Sequence, residues 1–122
     1  MKKTGEAYGF FDCKASKKEI EAELLNIRKE VKTPSDLELS LIEGVENLKG
    51  DSQLMDLAQQ AKEEGNNYVL KASSPRWNNE QTSRELLYIL NAIYANSSLY
   101  QEGEPFSGAI IFKEGDEYKF RE

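Results

Sequence analysis

The segment that decides the fold is NYVLKASSPRWNNEQTSRELLYILNAIYAN, residues 67–96, which joins a short apolar run to a long amphipathic one. Tyr, Val and Leu follow one another at residues 68–70, a pattern typical of a strand covered on both faces. Residues 80–96 repeat apolar side chains at helical spacing and predict a helix. Its wide apolar face comprises Leu86, Leu87, Leu90, Ile93 and Tyr94, extended by Tyr88 and Ile89.

Upstream of this unit, an aromatic-rich segment at residues 6–12 predicts a first strand. Residues 16–19, Ser-Lys-Lys-Glu, have the form of a capping box, in which a serine hydroxyl and a glutamate carboxylate satisfy free amides at a helix start. Apolar residues then recur at helical spacing and predict a helix with one buried stripe. The stripe consists of Ile20, Leu24, Ile27 and Val31.

Residues 33–64 predict two more helices. Thr33 and Pro34 are a suitable cap and first residue for the earlier one, with a stripe of Leu37, Leu41, Val45 and Leu48. The alternation of leucine and polar residues at 37–41 is also compatible with a strand. Gly50 and Asp51 separate this element from a helix that runs to about residue 64, where Gly65 ends it.

The carboxyl-terminal part predicts a β-hairpin, with strands at 106–113 and 118–121 around residues 114–117. The predicted order is therefore β-α-α-α-β-α-β-β over one α+β domain, residues 1–122. A small mixed four-stranded sheet packed with about four helices satisfies this order, because strands joined through helices tend to run parallel.

Composition excludes several chemistries. The chain has no histidine and one cysteine, Cys13, so His-dependent triads, His-ligated metals and thiolate clusters within one chain are impossible. None of the eight glycines builds a phosphate or dinucleotide loop, and no spacing matches a calcium loop. We therefore expect no cofactor, no metal and no catalytic residue, and a binding role rather than an enzymatic one.

Charge is concentrated in the middle of the chain. Residues 33–70 contain eight acidic residues and two basic ones, Lys49 and Lys62. The charge of this segment is therefore −6, which equals the net charge of the whole sequence. Such a surface repels nucleic acid and attracts a basic protein partner. It is equally compatible with a solvated helical face that aids solubility.

The amino terminus predicts no signal peptide, because Thr4, Gly5 and Glu6 stand where an apolar run should begin. No apolar stretch is long enough to span a bilayer. With one cysteine and no internal disulfide, the expected compartment is the cytoplasm, for a soluble protein without membrane contact.

One loop is the candidate ligand site. If the first two strands are parallel neighbours, their carboxyl ends bring Asp12 close to residues 73–79, which open a helix whose free amides favour anions. The candidate ligand-binding residues are Asp12, Lys71, Ser73, Ser74, Arg76 and Trp77. Serine and asparagine are also ordinary loop and cap residues, and Arg76 is equally able to pair with a carboxylate.

Two functions are compatible with the sequence. The first is a non-catalytic protein-binding or regulatory module, either monomeric or a homodimer, in which Tyr118 and Phe120 cover a sheet face as core or as a self-association surface. Lys119 and Arg121 on the last strand are typical of charged residues that protect a sheet edge against pairing with another strand. The alternative is a binder or hydrolase of a small phosphate- or carboxylate-bearing ligand at the 73–79 loop.

The anion hypothesis predicts that phosphorylated or carboxylated metabolites stabilise the protein through Arg76. A ligand at about a hundred times its Kd adds roughly 2.7 kcal/mol to the free energy of unfolding, which raises Tm by several degrees. Thermal unfolding of the wild type and of Arg76→Ala against a metabolite panel measures this shift. A wild-type shift that survives in Arg76→Ala contradicts the assignment of Arg76.

Overall fold

The computed structural model describes residues 4–121, which form one sheet and three α-helices, so the α+β prediction is confirmed. The strands are β1 (Gly5–Phe11), β2 (Glu38–Glu43), β3 (Tyr68–Ser74), β4 (Gly108–Glu114) and β5 (Glu117–Arg121). The helices are α1 (Lys17–Glu30), α2 (Ser52–Glu63) and α3 (Asn79–Tyr94), with a 3-10 turn at Val45–Asn47 before α2. No helix within residues 4–121 combines the length and the apolar character needed to cross a membrane.

The sheet has five strands in the order β2-β3-β1-β4-β5, and every neighbouring pair is antiparallel. The prediction of a mixed sheet of four strands with about four helices is therefore wrong in its details. The predicted parallel pairing of the first two strands is also wrong. The strands concerned, predicted at residues 6–12 and 68–70, are β1 and β3, which are neighbours in the sheet but run antiparallel.

The helix predicted after Pro34 is replaced by a loop and β2, so the alternative strand interpretation of this segment was correct. The strand pairs with β3 along its whole length, from Glu38 opposite Ser73 to Glu43 opposite Tyr68. Helical and alternating patterns coexist in this segment, and the ladder of backbone hydrogen bonds to a distant strand decides between them.

The other predicted helix boundaries are supported by the caps that the sequence indicates. Ser16 accepts from the Glu19 amide while the Glu19 carboxylate accepts from the Ser16 amide, each at 3.2 Å. Asp51 caps α2 by accepting from the Leu54 amide at 2.9 Å. Gly65, which follows α2, has a φ of +97° that favours glycine.

Each face of the sheet is covered by its own helices. The helices α1 and α3 pack on one face, and α2 with the 3-10 turn packs on the other. Successive strand residues point to opposite faces, so β1 contributes Ala7 and Phe11 to the first core and Tyr8 and Phe10 to the second. The central strand is therefore buried on both sides.

Two glycines in β1 allow α3 to lie close to the sheet. A Cβ on Gly5 would stand 2.2 Å from the Trp77 carbonyl oxygen and 2.5 Å from that of Asn78. A Cβ on Gly9 would stand 2.8 Å from Cδ1 of Leu90. Backbone oxygens at a helix start cannot move aside as the end of a leucine side chain can.

We predict that Gly5→Ala destabilises the fold more than Gly9→Ala. Overpacking against fixed backbone costs about 1–3 kcal/mol, and the rotation of Leu90 relieves most of that strain at position 9. Urea unfolding of both variants and the wild type compares the free energies of unfolding. Equal decreases in the free energy of unfolding would contradict the prediction, because the contact at Gly5 would then be no more restrictive than the contact at Gly9.

Candidate functional site

The structure does not bring the six candidate ligand-binding residues together. Gly5 lies opposite Ser74, and Phe11 lies opposite Tyr68, because β1 and β3 are antiparallel. Asp12 therefore follows β1 at one end of the sheet, and the 73–79 loop begins at the other. Six residues of strand separate the two ends by about 20 Å.

The remaining candidates also divide between the two faces of the sheet. Lys71 and Ser73 point to the α2 face, where Nζ of Lys71 lies 3.2 Å from the Glu6 carboxylate. Ser74 points to the opposite face and is buried. Its hydroxyl accepts from the amides of Arg76 and Trp77 at 3.2 and 3.3 Å, so it shapes the loop.

Arg76 joins two loops. Its Nε lies 2.5 Å from the Asp36 carboxylate, which ties the β3–α3 loop (residues 75–78) to the α1–β2 loop (residues 31–37). The Arg76 side chain is 68% exposed, so this ion pair is worth at most about 1 kcal/mol. Anion binding at Arg76 stays a prediction, and an incoming anion would compete with Asp36.

These two loops and α3 enclose a cleft of about 540 Å³, which we call the aromatic cleft. Its volume falls within the roughly 300–1,000 Å³ typical of ligand pockets. Of the sequence candidates, Trp77 alone lines it. The lining residues are Val31, Lys32, Pro34, Trp77, Glu85 and Tyr88.

Arg28 holds one wall of the aromatic cleft. Its Nε donates to the Thr33 hydroxyl at 3.1 Å, and its Nη2 donates to the carbonyl oxygens of Pro34 and Leu37. One planar guanidinium thus orders the α1–β2 loop through three acceptors, a geometry that lysine does not reproduce.

The opposite wall is set by the start of α3. Asn78 caps the helix by accepting from the Gln81 amide at 2.8 Å, and the Gln81 side chain accepts from the Asn78 amide. With Ser74 holding the Trp77 amide, the backbone on both sides of Trp77 is tied down. The indole is therefore presented to the cleft from an ordered loop.

Glu85 is the ionisable group of the cleft with the least favourable environment. Burial raises the pKa of the Glu85 carboxyl, and no cationic side chain among the described residues offsets this effect. Tyr88, one turn further along α3, is 53% exposed. A partly buried carboxylate in one cleft with the exposed Tyr88 ring and the half-buried Trp77 ring is suited to a cationic ligand, through an ion pair and cation–π contacts.

A shallower depression adjoins the aromatic cleft and shares Lys32 with it. It is lined by Leu25, Arg28, Lys29, Lys32, Thr33 and Ser35. Leu25 is 67% exposed, so the apolar surface continues from α3 onto α1. Lys29 and Lys32 make this side of the surface positive.

Other reactive groups of the described chain are placed less favourably. The Cys13 thiol is buried and lies 3.7 Å from the Leu99 carbonyl oxygen. Within residues 4–121, no group of three or more Cys, Asp or Glu side chains is arranged to hold a metal ion. Comparison with protein-family models, with curated proteins and with solved structures gave no match to this chain.

Sequence reasoning missed five of the six cleft residues, namely Val31, Lys32, Pro34, Glu85 and Tyr88. The usable signal was the breadth of the apolar face of α3, because Tyr88 extends it beyond what one sheet covers. Glu85 and Tyr88 are three residues apart and so share one side of the helix. Pro34 and Val31 were not recognisable, since their position depends on the loop that Arg28 orders.

We predict that Arg28→Lys lowers the free energy of unfolding by about 1–2 kcal/mol, because lysine leaves loop acceptors without donors. Arg84→Lys is the matched control. Arg84 is exposed and pairs with Glu80 within one helix, so its replacement should cost less than about 0.5 kcal/mol. Chemical denaturation measures both, and equal stabilities of the two variants would contradict the role of Arg28.

Proposed function

We propose that this chain is a non-catalytic protein-binding module whose aromatic cleft takes a partner segment that carries one arginine among apolar residues. The observation that carries the proposal is the partly buried Glu85 carboxylate, which shares the cleft with Trp77 and Tyr88 and whose burial is not offset by any cation within residues 4–121. An arginine supplies the missing charge and a flat surface that stacks on aromatic rings.

The apolar part of the segment follows from the other cleft residues. Val31 and Pro34 are partly buried, and together with Trp77 they offer a surface that gains from burial against aliphatic or aromatic side chains. Aromatic anchors are also the residue type that most often dominates binding energy at protein interfaces. A cation alone would leave this surface in water.

The neighbouring lysines limit how basic the segment is. Lys32 lines the cleft and Lys29 lines the adjoining depression, so a run of arginines would meet repulsion there. Exposed ammonium groups remain hydrated when unpaired, whereas the Glu85 carboxylate has already lost part of its water. The net charge of −6 favours approach of a segment with a small positive charge.

The alternative function, binding or hydrolysis of an anionic small molecule at the 73–79 loop, is supported by the high exposure of Arg76. It is weakened by the separation of its other candidates, since Asp12, Lys71 and Ser73 do not face Arg76. The metabolite panel described above discriminates between the two functions.

We predict that N-acetylated octapeptides with one central arginine flanked by Leu, Val or Phe change the emission of Trp77, the only tryptophan in the chain. Glu85→Gln should weaken this binding, because a hydrogen bond to a charged group contributes about 1.5–3 kcal/mol. That loss corresponds to a roughly 10- to 100-fold increase in Kd. Replacing the arginine by citrulline, which has the same shape without the charge, should weaken binding similarly.

Controls separate binding from folding. Glu21→Gln removes an exposed carboxylate from α1 and should leave peptide affinity unchanged. Glu85→Gln should keep or slightly raise Tm at neutral pH, since it removes a charge whose ionisation the folded state disfavours. If the arginine and citrulline peptides bind equally, or if no peptide changes Trp77 emission, the proposed recognition is wrong.

The Glu85 carboxyl also determines how stability and peptide binding depend on pH. The pKa of Glu85 is raised in the folded protein, so its ionisation costs stability at neutral pH, and this cost disappears as the pH falls through that pKa. Peptide binding requires the ionised carboxylate. Affinity for the arginine peptide should therefore fall over the pH range in which the protein gains this stability, and Glu85→Gln should lose both effects.

A further inference from the structure

The free edge of β5 has a regular backbone pattern. Its hairpin with β4 is closed by the two residues Gly115 and Asp116, with Glu114 opposite Glu117. In such a hairpin the flanking pair exchanges both backbone hydrogen bonds, and bonded and non-bonded pairs then alternate. The N–H and C=O groups of Tyr118 and Phe120 therefore point away from β4, toward the side of β5 on which the described residues place no further strand.

The side chains of β5 separate aromatic from charged residues. Tyr118 and Phe120 lie on the α2 face, and Phe120 is 58% exposed beside a small groove. Glu117, Lys119 and Arg121 lie on the opposite face. A large apolar side chain so exposed on an unpaired edge strand is the pattern that proteins ordinarily avoid, because it invites pairing with another strand.

The two basic residues of β5 protect this edge less than their charges suggest. Nζ of Lys119 lies 2.6 Å from the Glu114 carboxylate, and Nη1 of Arg121 lies 2.9 Å from that of Glu80. Both cations are thus compensated within the chain. Nε of Arg121 is buried and has no hydrogen-bond acceptor within residues 4–121.

We propose that β5 pairs antiparallel with β5 of a second copy of this chain, about a twofold axis at Lys119. In this register Tyr118 lies opposite Phe120 of the second copy, and Glu117 lies opposite Arg121 of the second copy. The outward backbone groups of Tyr118 and Phe120 then meet as two hydrogen-bonded pairs. The same register forms two cross-strand ion pairs and two cross-strand aromatic pairs.

Neighbouring registers that keep each side chain on its own face are less favourable. An axis at Phe120 sets Lys119 opposite Arg121 of the second copy and takes Glu117 out of the paired segment, so no opposite charges face each other. An axis at Tyr118 sets Glu117 opposite Lys119 of the second copy, but it also sets Phe120 opposite the Asp116 turn and leaves one hydrogen-bonded pair. With the axis at Lys119, the two facing lysines are each neutralised by their own Glu114.

The other edge of the sheet does not offer the same complementarity. The charged residues of β2 are Glu38 and Glu43, both acidic, so its self-pairing brings no opposite charges together. The second copy is therefore expected at β5. Because strands of five residues bury a small area, we expect a weak dimer.

Sedimentation velocity tests the proposal. The wild type should shift from 13.9 kDa to twice that mass with a Kd on the order of 10–100 µM. The measurement therefore covers protein concentrations tenfold below and tenfold above this range. Raising the salt concentration should weaken the dimer, because Glu117, the acidic partner in each ion pair, is exposed.

Two charge variants test the register. In a dimer of Glu117→Lys, the new lysine of each copy would face Arg121 of the other copy. In a dimer of Arg121→Glu, the new glutamate of each copy would face Glu117 of the other copy. Like charges meet in both cases, so each variant alone should remain monomeric. A mixture of the two should dimerise, because both facing pairs become opposite in sign. Circular dichroism verifies that each variant is folded, and Glu102→Lys, the same charge change in an exposed loop, should dimerise like the wild type.

A wild type that stays monomeric throughout the concentration range would overturn the proposal. Variants that dimerise alone as the wild type does would overturn it too, since the copies would then meet elsewhere. If mixing the two variants restores the dimer, loss of the dimer in each variant alone cannot be due to unfolding, because an unfolded chain would not pair with the other variant. The test is independent of the aromatic cleft, which folded monomeric variants retain.

Discussion

The close contact between α3 and β1 is the constraint on which the other features depend. The central strand β1 pairs with β3 on one side and β4 on the other, and both of its faces are buried. Gly5 and Gly9 leave the space in which α3 crosses it. The start of α3 is thereby pressed against the beginning of β1, where the carbonyl of Trp77 lies over Gly5. The position of Trp77 in the aromatic cleft is thus a consequence of missing side chains in the central strand.

The aromatic cleft is shaped mainly by side chains that hold backbone groups. Arg28 orders one loop, and Ser74 and Asn78 order the other, so both walls are set by hydrogen bonds that a fully apolar core would not provide. Within this hydrogen-bonded frame, Glu85 loses part of its hydration without gaining a cation from the described residues. An ionisable group with a shifted pKa in a cleft is a candidate for function, because its cost to the fold needs a compensating benefit.

Local signals in the sequence predicted the elements whose ends are capped. Ser16 with Glu19, and Asp51 with Gly65, marked helix ends correctly because each acts through neighbours in the chain. Segment 38–43 was ambiguous, since its leucines satisfy both a helical and an alternating pattern. Of the residues that line the aromatic cleft, Trp77 was identified from the sequence because it lies in a loop that opens a helix, where free backbone amides favour a ligand. Glu85 was not found, because its desolvation comes from residues far away in sequence.

The sequence by itself determined the chemistry that is available: no histidine, one cysteine, an acidic middle and a strand–loop–helix unit at residues 67–96. It also determined the capped helices and the final hairpin, whose interactions are local. Only the tertiary structure decided that β3 lies between β1 and β2 and runs antiparallel to both, because chain order leaves the insertion of a strand open. That one choice separated Asp12 from Arg76 by the length of the sheet. It also placed Trp77 in a cleft with residues from two other elements, through contacts that no local pattern encodes.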